Sequence, residues 1–129
     1  MTRALSLIAA VSGLYDLVIG AGLLLAPVEI ASWFGAPAPS PLLHVNIAGW
    51  LLIGIGLGYW QPFRDPVRHR AYLWIMGPVL KGGGAAIFLI DHFARQSPAS
   101  FLLFALTDGT LALATLWALL ASRDRAATR

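Results

Sequence analysis

The chain has 129 residues, 58% of them hydrophobic and 12% charged, with a formal net charge of +3; soluble domains carry about 25% charged residues. A mean hydropathy of +0.74 leaves too little polar surface to cover a water-soluble globule. A bilayer-spanning helix takes about 20 residues. Four apolar blocks and their joints therefore nearly use up these residues, leaving no room among them for a soluble catalytic domain, a dinucleotide-binding unit or a nucleic-acid module. Cysteine is absent, which excludes disulfides, thiol relays and thiolate metal sites.

The first apolar block, about 4–26, follows Arg3. It is too long for a signal-peptide core and carries Tyr15 and Asp16 mid-way, so it reads as a retained transmembrane helix. Pro27 opens a short segment that Gly35 ends, with Glu29 in its first turn and Trp33 and Phe34 near its end. Proline at the start, an acid near the N-terminus and a closing glycine suit a short helix, and the aromatic pair suits the headgroup level. Three prolines between Ala36 and Pro41 make a stiff connector. The second block covers about 42–60, the third about 71–93, and the fourth about 99–121. Residues 122–129 form a polar tail expected to be frayed.

Arg3, Arg64, Arg68, Arg70, Arg123, Arg125 and Arg129 fall on one side of such a bundle and Arg95 alone on the other. The positive-inside rule then predicts both termini and the middle loop in the cytoplasm.

Three ionisable residues lie deep in the apolar blocks: Asp16, Lys81 and Asp108. At ~1.5 Å per residue they sit ~15–20 Å from the cytoplasmic helix ends, near the middle of a ~30 Å hydrocarbon core. Asp16 shares its face with Ser12, Gly13 and Gly20, Lys81 with Gly77, Gly84 and Ala85, and Asp108 with Ala105, Ala112 and Thr115. Small residues mark the surfaces where membrane helices approach closely, so the charges are expected to point into the bundle and meet. One cation against two acids leaves an imbalance, so one carboxyl is expected to hold a proton or share it with its neighbours. The functional reading is a proton-titrating or ligand-binding site; the bland reading is a staple joining three helices.

The run from Gly77 to Gly84 contains Pro78 and three consecutive glycines. Proline removes a backbone donor, and broken helices line transporter sites; a kinked but continuous helix is the expectation. The triple glycine is no phosphate loop, because no Ser or Thr follows Lys81. Gly54 and Gly58 stand in GxxxG spacing, a weak dimerisation signal. Tyr15, Asn46 and Trp50 are candidates for lining a ligand cavity. Tyr59, Trp60, Tyr72, Trp74 and Trp117 suit interfacial belts. Glu29, His44, Asp91 and His92 lack metal-site spacing, so no metal site is assigned. His69 and its arginine neighbours suit anionic headgroups.

Gly13-Leu14-Tyr15-Asp16, Ala26-Pro27, Trp33-Phe34-Gly35, the run Gly54 to Tyr59, Arg64-Asp65-Pro66, Leu80-Lys81 and Asp108-Gly109 together resemble small bacterial four-helix membrane proteins, loosely DoxX-like. That resemblance implies the fold, and its named branch implies an accessory subunit in quinone-linked thiosulfate oxidation. It carries over no catalytic residue. Small multidrug transporters also place an acid in the first of four helices, but Lys81 would neutralise that acid here.

These features predict an all-α, polytopic membrane protein of the bacterial inner membrane: an antiparallel four-helix transmembrane bundle with a short interfacial helix between spans 1 and 2. The leading expectation is a binding or accessory module for a hydrophobic or quinone-like small molecule or a membrane redox complex, working in the lipid bilayer alone, as a homo-oligomer or in a larger membrane complex. The alternative is a proton- or ion-coupled small-molecule transporter acting as a homodimer. No nucleophile–base pair points to an enzyme, no cofactor is specified by the sequence, and nucleic acid is not an expected partner.

Overall fold

The computed structural model describes the backbone of residues 2–127 and the side chains of residues 2–122. Among these residues it is helical throughout its regular structure, with α1 Thr2–Leu25, α2 Pro27–Trp33, α3 Leu43–Gly58, α4 Trp60–Arg64, α5 Arg70–Trp74, α6 Gly82–Arg95 and α7 Leu102–Ala127. A π-helical segment, Ile75–Lys81, joins α5 to α6, and a 3₁₀ turn, Ala99–Phe101, leads into α7. Four continuous helical stretches are long and apolar enough to cross a membrane: Thr2–Leu25, Leu43–Arg64, Arg70–Arg95 and Ala99–Ser122. The protein is a multi-pass, all-α four-helix bundle.

The spans alternate in direction. One end of the bundle, here the terminal end, holds the start of α1, the end of α7 and the loop between α4 and α5. The opposite end holds α2 and the joint before α7. At the terminal end the Arg70 guanidinium donates to Ser122 Oγ and to the Leu119 carbonyl, tying the third span to the fourth. At the opposite end Ser100 Oγ donates to the Phe34 carbonyl at 2.6 Å, tying α2 to the start of the fourth span.

Lipid tails are as apolar as leucine, so helix association in a membrane depends on close packing rather than on expelling water. The contact between α1 and α3 shows this. Gly13 lies against Gly56, and Gly20 against Gly49, so two glycines seven residues apart on each helix bring the backbones together. A β-carbon on Gly20 would lie 2.7 Å from the Gly49 carbonyl oxygen, and one on Gly56 would lie 2.9 Å from that of Gly13. Gly54, by contrast, has nothing within 4 Å of where its β-carbon would be, so the GxxxG pair does not serve this contact. On the other side of α1, α7 packs against α1, α6 and the π-helical segment. A core of Leu5, Ala9, Tyr59, Leu73, Ala118 and Leu119 fills the terminal half.

The second and fourth spans run well past the ends of their apolar blocks. The second span continues as helix to Arg64, with a single break at Tyr59, because Pro62 has no N–H to give to the Gly58 carbonyl four residues back. The fourth continues through the expected tail to Ala127, where Arg and Ala favour helix and no Gly or Pro opposes it. Thr128 and Arg129, like Met1, lie outside the described residues.

The third span passes Pro78 without breaking. Its buried positions are Leu73, Gly77, Lys81 and Ala85, a strict four-residue repeat. In a helix of 3.6 residues per turn each four-residue step overshoots by ~40°, so such a stripe would wander off the interior face. The wider turn of the π-helix, closed by i→i+5 bonds, takes up that drift. It also accommodates the missing proline donor. Gly77 is the close-approach point, since a β-carbon there would lie 2.6 Å from Thr115 Cγ2.

Candidate functional site: a buried cation between two acids

Asp16 is the fifteenth residue of a 24-residue span, so its depth is set by α1, and its face by the small residues that pack around it. Lys81 ends the π-helical segment, whose wide turn keeps it on the interior stripe. Asp108 lies on the face of α7 that carries Ala105 and Ala112.

The three meet. Lys81 Nζ donates to Asp16 Oδ1 at 2.6 Å and to Asp108 Oδ1 at 3.2 Å. It also lies 4.8 Å from the centre of the Tyr15 ring. Two carboxylate oxygens and one aromatic face match the three N–H donors of an ammonium group. With all three ionised the cluster carries one excess negative charge, in a setting where a lone charge is costly.

The two acids are not equivalent. The Asp16 side chain is 2% exposed and that of Asp108 is 17% exposed. Tyr15 and Thr107, the residues just before them, form a second link: their hydroxyls are 2.8 Å apart. Thr107 also donates back to the Leu103 carbonyl. Tyr15-Asp16 and Thr107-Asp108 thus act as matched dipeptides across the α1–α7 contact, a pattern visible in the sequence once the two acids are paired.

Two further polar groups accompany the cluster on its terminal side. Ser12 lies one turn before Asp16 on the same face, and the Tyr59 ring covers Gly13. Among the described residues, Ser12 Oγ, Tyr59 Oη and Asp16 Oδ2 are buried and have no hydrogen-bond partner. Tyr59, expected in an interfacial belt, is only 2% exposed. It meets the Tyr72 ring edge-on at 5.2 Å, and the Tyr72 hydroxyl donates to the Ile55 carbonyl. On the opposite side, about one turn from Asp108, the rings of Phe34, Phe88, Phe101 and Phe104 stack with centroids 4.9–6.3 Å apart.

Trp50, a candidate for lining a ligand cavity, lies on the outer surface of the bundle. It is 68% exposed, on the outside of α3, because it follows the buried Gly49 and each helical residue turns by ~100°. Its level lies within about one helical turn of Asp16, but its side chain faces outward. Asn46 is half-buried with an unpartnered side-chain oxygen, about 10 Å along the bundle axis from the level of Asp16 at ~1.5 Å per residue, and is not part of the cluster. Asp91 pairs with Arg95 at 3.1 Å and His92 Nδ1 lies 2.8 Å from the Ser97 carbonyl.

No family model, curated protein or solved structure matches the chain.

Proposed function

We propose that this chain is a DoxX-like protein of the bacterial cytoplasmic membrane, with both termini in the cytoplasm. In this reading it catalyses nothing itself, and serves as a binding or accessory module for a hydrophobic, quinone-like molecule within a membrane redox complex. The supporting observation is the edge of the cluster at Asp108. This acid is the member that is not fully buried, Gly84 leaves room beside its Oδ2, and stacked phenyl rings begin one turn away. A flat ring bearing oxygen atoms needs an aromatic wall and one or two polar partners, and this edge supplies both kinds of group.

Native mass spectrometry of the detergent-extracted protein incubated with a short-chain quinone tests the reading, and reports copy number in the same spectrum. One quinone retained per chain, lost in Asp108→Asn and in Phe104→Ala but kept in Asp91→Asn, is the expected pattern. Equal retention in all four proteins overturns it.

Proton-coupled transport is the second reading, favoured by the unpartnered atoms of Ser12, Asp16 and Tyr59 on the terminal side of the cluster. Acidification of proteoliposomes by a substrate gradient, read with an internal pH dye and abolished in Ser12→Ala or Asp16→Asn, would favour it over the first.

A further inference from the structure

A groove of about 320 Å³ runs down the outside of the bundle where α1 meets α3 and α4. Ala10, Gly13, Leu14, Leu17, Leu57 and Trp60 are among its lining residues, so its floor is small and its walls are apolar. It is separate from the charged cluster, none of whose members lines it. Along α1 the lining runs from Ala9 to Leu17, about 12 Å at ~1.5 Å per residue. Half of a ~30 Å hydrocarbon core is ~15 Å deep. The groove therefore covers roughly one leaflet, from Trp60 near the terminal end to Leu17 beside the mid-depth Asp16.

Its mouth is cationic. The Arg64 guanidinium lies over the Trp60 ring, 5.8 Å from the ring centre, which holds it at the end of the groove. Arg3 continues the line of the groove on α1. Positions 3, 10 and 17 are heptad steps, which drift only ~20° each on a straight helix, so Arg3 projects from nearly the same stripe as Ala10 and Leu17. Asp65 is the acid nearest in sequence to this mouth, and its Oδ1 accepts the Arg68 backbone N–H at 3.0 Å.

We infer that this groove is a binding site for one anionic phospholipid of the leaflet at the terminal end. An acyl chain lies along Ala10, Leu14 and Leu17, and the phosphate sits between Arg3 and Arg64. Charge decides between occupants: a second copy of this chain in the same orientation would bring its own arginines against these, whereas an anionic headgroup neutralises both. The site is independent of the quinone-like reading and stands or falls separately from it.

The test uses the full-length protein in mild detergent, titrated with phosphatidylglycerol or phosphatidylcholine of identical acyl chains, with bound lipid counted by native mass spectrometry. One phosphatidylglycerol is expected to survive per chain. Its preference over phosphatidylcholine should be on the order of thirtyfold, from two arginine contacts with an anionic headgroup. Arg3→Gln with Arg64→Gln should remove the preference while weak binding of both lipids remains. Ala10→Phe or Leu57→Phe, which fill the groove and keep both arginines, should displace both lipids while helical circular dichroism is unchanged. Equal retention of the two lipids by the wild type overturns the assignment. So does wild-type retention by both groove-filling variants, displacement of the lipid by glycerol phosphate alone, or a dimer that forms as lipid is lost.

Discussion

Gly20 and Gly49 face each other backbone to backbone across the contact of α1 with α3, and Gly13 and Gly56 repeat the arrangement two turns away. Adding a methyl group at Gly20 would place it 2.7 Å from a carbonyl oxygen, a clash with the main chain that no rotamer change can relieve. Gly20→Ala and Gly56→Ala should each lower stability by about 1–3 kcal/mol, the usual cost of overpacking. Thermal unfolding in detergent reads this directly. Gly54→Ala and Gly83→Ala, with open space around them, should unfold at or slightly above the wild-type temperature. A large loss at Gly54 would mean that its face is covered by another chain.

The cation holds two acids at different distances, 2.6 Å to Asp16 and 3.2 Å to Asp108. Lys81→Met leaves both uncompensated and should cost about 3–5 kcal/mol, as breaking a buried pair typically does. Adding Asp16→Asn should restore more of that stability than adding Asp108→Asn, because Asp16 is the closer and more fully buried partner. The comparison is a double-mutant cycle on unfolding temperature or denaturant midpoint. Strictly additive losses would contradict the coupling of the three charges.

Topology is checked by fusion reporters. With seven basic residues on one side and one on the other, a reporter at Arg129 should be cytoplasmic and one at Ser40 should be on the opposite side. The same side for both would contradict four crossings.

The short helix α2 begins at Pro27, and Gly35, just past its end, has φ +66°, a left-handed conformation suited to closing a helix. Its 77% exposed Trp33 faces away from the bundle while Phe34 stacks on Phe104. Spin labels at successive α2 positions should report one constant shallow depth in the bilayer. A steady gradient of depth would instead make α2 an extension of the first span.

The sequence carried the spans and the depth of the charges well, because both depend on counting residues along an axis. Direction around that axis was legible only where small residues marked it, as around Asp16. At Trp50 the neighbouring Gly49 owns the buried face, and the indole is left on the outside. The seam between α1 and α3 was hidden for a related reason. Seven-residue glycine spacing on each helix means little until the two are aligned antiparallel, whereas Gly54 and Gly58 catch the eye as a motif and do not form that seam. Tyr59 looked like a belt residue from its place near a helix end, but Gly13 opposite makes space for its ring. The π-helical segment was not legible at all: proline amid glycines is compatible with a kink, a break or a wide turn, and the four-residue stripe of buried positions that goes with the wide turn belongs to the packed bundle.

That wide turn has a geometric consequence for the cation. Lys81 sits at its downstream edge, so the main chain rather than the side-chain rotamer decides which way the ammonium points. Removing a single residue from within it, for example Val79, would let the third span close up as ordinary α-helix. Everything beyond the deletion would then keep its phase to within ~20°, because Leu73 to Ala85 would span eleven residues, close to three α-helical turns. The lysine and Ala85 would both stay on the buried stripe, so the wide turn takes up one residue more than an α-helix of the same phase needs. The phase of this one helix, more than the identity of any neighbour, therefore holds a positive charge in the middle of the bundle.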